Sequence, residues 1–112
     1  MSLNSLNFKD RYNSRFDELK KDPDAAAKFA MMKKRRIKEL EPTIAQATWP
    51  SLWYAYHVLR RRFAEGEAAI LKDSDAAIQY SFHVLKKPWP QGESVIKSNE
   101  SNWKAYRQRF NF

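Results

Sequence analysis

The residues that could do chemistry come in evenly spaced sets. His57 and His83 lie 26 positions apart, and each follows an aromatic residue, Tyr56 or Phe82. Two imidazoles one period apart could act as acid and base, or share a metal ion. Metal sites take three or four ligands, and no H-x-x-x-H, H-x-E or carboxylate cluster stands beside either histidine. One packing arrangement used twice accounts for the pair more simply. Glu41, Glu67 and Glu93 keep the same spacing. Close, buried carboxylates do acid–base work, but each of these opens a predicted short helix near Arg or Lys, where capping and ion pairing suffice. The chain has no cysteine, which removes thiol catalysis, disulfides and thiolate metal sites. Two glycines in 112 residues leave no phosphate-cradling loop. The expectation is a protein that is not an enzyme and takes no metal and no cofactor. A small hydrolase built on the two histidines ranks last among the readings.

A second set is basic. Lys34, Arg60 and Lys86 share one position of the period, Arg35, Arg61 and Lys87 the next, and Arg36 and Arg62 a third. The formal net charge is +8, and it is evenly divided. Residues 1–48 carry 11 Lys/Arg against 7 Asp/Glu, and residues 49–112 carry 10 against 6. With no charged tail, a polyanion site must be built by the fold. Stacked helices would set equivalent cations about 10 Å apart, a row suited to nucleic-acid phosphates. Cations near helix C-termini also complement the helix dipole in any protein.

The aromatic set comprises Trp49, Trp53, Tyr54, Tyr56, Tyr80, Phe82, Trp89, Trp103 and Tyr106. Such rings beside cations can stack single-stranded bases. Tyr54, Tyr80, Phe63 and Trp89 recur at fixed positions, which instead marks columns of a core. Trp53 has Gln79 and Ala105 as its equivalents, so the core makes no demand there, and it is the candidate for contact with a partner.

The elements that must carry these residues follow from an internal repeat. Residues 51–73 align with 77–99 without a gap. Tyr54 lies over Tyr80, His57-Val58-Leu59 over His83-Val84-Leu85, Phe63 over Trp89, and Gly66-Glu67 over Gly92-Glu93. Downstream, Tyr106 and Phe110 continue two columns; upstream, Ile37, Glu41 and Ile44 continue three. Leu52, Ala55, Val58, Leu59 and Phe63 follow helical spacing, which predicts one helix over 51–64. Trp49-Pro50 would precede it, Gly66 and Gly92 would end such helices in a left-handed turn, and Ser74 and Asp75 would cap the next. Short helices are predicted over 67–72 and 93–97. Phe8, Tyr12, Phe16 and Leu19 form the stripe of a separate amphipathic helix, stopped at Asp22-Pro23 and suited to cover an open end.

The pattern A-x-x-Y-A/S-x-x-V-L-K/R-x-x-W/F-x-x-G-E-x-x-I, carried by Tyr54-Ala55 to Ile70 and Tyr80-Ser81 to Ile96, resembles short helical repeats common in proteins of tailed bacteriophages. Trp89-Pro90 keeps the aromatic–proline pair of that pattern, whereas Arg62-Phe63-Ala64 departs from it. The resemblance implies a helical-repeat array and a phage or prophage origin, and it brings no catalytic residues.

The expected fold is therefore all-α: a short, solenoid-like array of helix pairs with an N-terminal amphipathic capping helix, in one domain over 1–112. Its parts are the capping helix (1–23), a degenerate repeat (24–49), two full repeats (50–75 and 76–101) and a partial one (102–112). The expected function is non-enzymatic binding of nucleic acid or another polyanion through Lys34, Arg35, Arg36, Arg60, Arg61, Arg62, Lys86 and Lys87. The alternative is a phage or prophage adaptor that captures an acidic host protein. An apolar end over Trp103 to Phe112 leaves homo-oligomerisation open. No apolar run approaches the ~20 residues of a membrane span, and Met1 to Lys9 has no signal-peptide core. The expected location is the cytoplasm, that of the host if the chain is phage-encoded.

Overall fold

The structure is a computed structural model that describes residues 16–112. Most of the N-terminal stripe, including Phe8 and Tyr12, lies outside the described residues. Its last members are inside them: Leu19 is buried, and the Phe16 ring meets Phe29 edge-on at 5.8 Å.

Every regular element among the described residues is helical. Helix α1 spans Pro23–Lys33, followed by a 3-10 turn, Lys38–Leu40, and the short α2, Glu41–Ile44. Helix α3, Thr48–Trp53, runs on as a π-helical segment, Tyr54–Leu59. A 3-10 turn, Ala64–Gly66, leads into α4, Glu67–Ile70. Helix α5, Ser74–Gln79, likewise runs on as a π segment, Tyr80–Leu85. The 3-10 turn Pro90–Gly92, α6 (Glu93–Lys97) and α7 (Glu100–Phe110) complete the chain. No described helix is long and apolar enough to cross a membrane.

Three of the long helices are capped by side chains, whereas the one that begins at Thr48 follows Ala47 and has no side-chain cap. Asp22, Asp73 and Asn99, each in extended geometry, accept hydrogen bonds from Ala25, Ala76 and Asn102 N–H. The cap expected at Ser74 and Asp75 therefore belongs to Asp73. Ser74 is already helical, and its hydroxyl donates across to Ile96 O at 3.3 Å. Thr48 does the same to Ala69 O at 2.6 Å. The helix expected over 51–64 starts earlier, at Thr48, and stops earlier, at Leu59. Pro50 falls inside its first turn, where a missing N–H has no intrahelical acceptor to lose.

The left-handed helix ends are not at the glycines. They are at Lys34, Arg60, Lys86 and Asn111, with φ of 54° to 61°. After α1, Lys34 N donates to Met31 O at 3.2 Å and Arg35 N to Ala30 O at 3.5 Å, the double closure of a Schellman turn. Gly66 and Gly92 have φ of −92° and −95°, values open to any residue. Their need for glycine is steric. A Cβ on Gly66 would sit 2.6 Å from the Phe63 ring and from Ser51 Oγ, and one on Gly92 would sit 2.5 Å from the Trp89 ring.

The core is one cluster in which equivalent positions repeat. Ile37, Phe63 and Trp89 are buried, as are Tyr54, Tyr80 and Tyr106, and Ile44, Ile70 and Ile96. Among the described residues, Trp89 Nε1 is the buried side-chain polar atom without a hydrogen-bond partner. The positions equivalent to Trp89 hold Phe63 and Ile37, whose side chains carry no polar atom to satisfy. Gly92→Ala is expected to cost about 1–3 kcal/mol by overpacking against Trp89. The measurement is a lower urea midpoint at unchanged slope; an unchanged midpoint would show that the ring moves aside.

Candidate functional site

The site is best built from the tyrosines, because they hold the turns that carry the cations. Tyr54 Oη donates to Glu41 Oε2 at 2.6 Å and accepts from Ile37 N at 3.1 Å. Tyr80 does the same with Glu67 Oε2 at 2.6 Å and Phe63 N at 2.9 Å. Tyr106 does it with Glu93 Oε2 at 2.8 Å and Trp89 N at 2.8 Å. Each phenol therefore satisfies a buried backbone N–H just before a 3-10 turn, and binds the first carboxylate of the short helix that follows. Leaving such an N–H without a partner costs about 1–3 kcal/mol. The first two tyrosine rings also pack on the residue whose N–H the next tyrosine holds: Tyr54 on Phe63 at 5.1 Å, and Tyr80 on Trp89 at 4.9 Å.

Arginine completes two of these three latches. Arg36 grips Glu41 through Nε at 2.7 Å and Nη2 at 3.1 Å. Arg62 grips Glu67 through Nε at 2.6 Å and Nη2 at 3.0 Å. Both are fork-shaped pairs of the stronger kind. In the third latch Pro88 stands in the arginine position, and among the described residues Glu93 is held by the phenol alone. Burial pushes the Glu41 carboxyl up, but hydrogen bonds from Arg36 and Tyr54 outweigh it and hold the group below its ordinary value. Burial first, and then the bond to Glu41 or Glu67, raises Tyr54 and Tyr80 well above an ordinary phenol. The same two causes, with Glu93 as acceptor, push Tyr106 up to about 12.

The eight expected polyanion residues divide accordingly. Arg36 and Arg62 are tied to glutamate. Lys34, Arg35, Arg60, Arg61, Lys86 and Lys87 are exposed and form no ion pair among the described residues. Arg61 and Arg62 line one shallow depression together with Arg36 from the preceding unit, beside Leu59 and Glu65. The two π segments pack against each other, and Arg60-Arg61 and Lys86-Lys87 follow them directly, so the two pairs leave the same end of neighbouring helices. Trp53, expected as an exposed partner contact, is half-buried against the core. The more exposed ring of that helix is Tyr56, at 43%.

Both histidines are exposed, in contact with neighbouring rings. Tyr56 stacks on His57 at 4.6 Å and 17°, and lies 5.6 Å from His83. Among the described residues no three His, Asp or Glu side chains gather as a metal would require. Sequence reasoning missed the latch, although the constant 13-residue step from Glu41 to Tyr54, Glu67 to Tyr80 and Glu93 to Tyr106 was its signal. Comparison with protein-family models, curated proteins and solved structures finds no match to this chain.

Two outcomes follow from the latch. Tyr80→Phe strands Phe63 N–H and is expected to lower stability by about 1–3 kcal/mol in chemical denaturation. The second is alkaline. A phenol whose folded pKa is raised stabilises fully below its unfolded value of about 10, and loses that contribution as pH rises. For Tyr106 the loss runs from pH 10 to about 12, and Tyr54 and Tyr80 extend it upward. The melting temperature should fall above pH 10, with these three phenols ionising only as the fold is lost. Early titration of all tyrosines in the near-ultraviolet phenolate band would contradict the latch.

Proposed function

We propose that the chain is a short, solenoid-like array of helix pairs, closed at its N-terminal end by an amphipathic helix, and that it is a non-enzymatic binder of nucleic acid. The array reading is supported by the latches, caps and left-handed turns that recur along the chain. The observation that carries the function is the set of six exposed cations, two in each of three successive units, that form no ion pair among the described residues. The first of each pair sits in left-handed geometry, which costs a non-glycine residue on the order of 1 kcal/mol. Helix-dipole complementarity returns a comparable amount and explains Lys34, Arg60 and Lys86 as well as binding does. It does not explain Arg35, Arg61 and Lys87, which lie two residues beyond the last helical residue, past the left-handed position. At about 10 Å between packed helices, successive pairs would meet phosphates about three nucleotides apart along a stacked strand.

Counterion release sets the test. Six cations give a slope of log affinity against log salt no steeper than about −5 for duplex. Lys86→Ala/Lys87→Ala is expected to weaken binding for all sequences alike and to flatten the slope by about 2. Anisotropy titration of DNA and RNA fragments reads both. Absence of binding at low salt would overturn the proposal. Capture of an acidic protein from nuclease-treated lysate, with no binding to the fragments, would replace it with the adaptor reading.

A further inference from the structure

Beside the cation row lies a continuous run of side-chain rings that the latches do not use. It passes from His57 to Tyr56 at 4.6 Å, to His83 at 5.6 Å, to Phe82 at 6.4 Å and to Phe110 at 5.6 Å. The Arg109 guanidinium lies 5.2 Å from the Phe82 ring centre. Five rings thus cross three neighbouring elements: the two π segments and α7. Tyr56, His57 and His83 are exposed, while Phe82 and Phe110 are half-buried. Neither imidazole nor the Tyr56 hydroxyl has a hydrogen-bond partner among the described residues. The run is therefore wet at one end, with planar faces and unused donors and acceptors. Arg60-Arg61 and Lys86-Lys87 directly follow those π segments, three and four residues after His57 and His83.

We propose that this ring run receives the unstacked bases of single-stranded nucleic acid while the flanking cations hold its phosphates. The inference rests on the nucleic-acid reading above and narrows it. A duplex presents phosphates but hides its base faces, so it can use the cations and not the rings. A single strand can use both, because every base offers a π-face, and stacking of this kind tolerates sequence. An acidic polypeptide would use only the cations.

The test compares three ligands of about 12 nucleotides: a labelled single strand, its duplex, and the same strand carrying abasic sites. The native chain should bind the single strand roughly tenfold or more tighter than the other two. Tyr56→Ala/His83→Ala should remove that advantage and leave the duplex affinity, the abasic affinity and the salt slope unchanged. Tyr56→Phe should keep most of it. Tyr56 and His83 are exposed, and the unfolding midpoint of the double variant checks its fold; the abasic arm needs no variant. Equal binding of all three ligands overturns the ring proposal and leaves the polyanion reading standing. No binding of any ligand at low salt removes both.

Discussion

Each of the first three long helices ends in a left-handed turn, and the chain beyond it must re-enter the core with a buried backbone N–H. A tyrosine hydroxyl from the next long helix supplies the acceptor. The same hydroxyl donates to the glutamate that opens the short helix. One oxygen thus joins three segments: the exit of one helix, the start of the next, and the long helix of the following unit. In a low-dielectric interior such a fully satisfied group is favourable, and a half-satisfied one is costly. The spacing of the latch therefore sets the spacing of everything attached to it. The turns that carry Lys34, Arg60 and Lys86 are held just upstream of Ile37, Phe63 and Trp89, the residues whose N–H groups the phenols bind.

The latch also divides the positive charge. Arg36 and Arg62 are consumed by Glu41 and Glu67, so they strengthen the scaffold and contribute little to the field outside it. The pairs just before them, Lys34-Arg35 and Arg60-Arg61, have no carboxylate partner among the described residues and keep their charge for solvent or a ligand. At the third latch Pro88 stands in place of the arginine, and Lys86-Lys87 forms no ion pair among the described residues. A run of basic residues is thus two populations with different roles, separated by one step in sequence. The glycines show a similar division. Their column is required by ring contact and not by backbone handedness, since a cation occupies the left-handed position instead.

Much of this architecture was legible in the chain. The 26-residue period, the helical spacing of Leu52, Ala55, Val58 and Leu59, and the recurrence of Tyr54 with Tyr80 predicted helices and core columns, and those residues are helical and buried or partly buried. Helix ends were read less well. Glycine and Ser/Asp preferences pointed to Gly66 and Ser74, whereas Arg60 and Asp73 hold those roles. Statistical preference for glycine is weaker than the tertiary demand of the Phe63 and Trp89 rings, which already claim Gly66 and Gly92. The small or polar equivalents of Trp53, Gln79 and Ala105, point to an exposed ring there. A large ring at a boundary position nevertheless lies down on its neighbours, and Tyr56 takes the exposed place.

By itself, the amino-acid order determined the period, the helical character and the residue types at each column, because apolar spacing and self-similarity are properties of a chain in one dimension. The tertiary structure alone decided which polar groups meet. Glu67 and Tyr80 are far apart in sequence and share no local pattern beyond a fixed interval, yet packing brings their oxygens to 2.6 Å. It likewise decided that Tyr56 would bridge two histidines from different helices, because a ring run arises only when neighbouring helices are laid side by side.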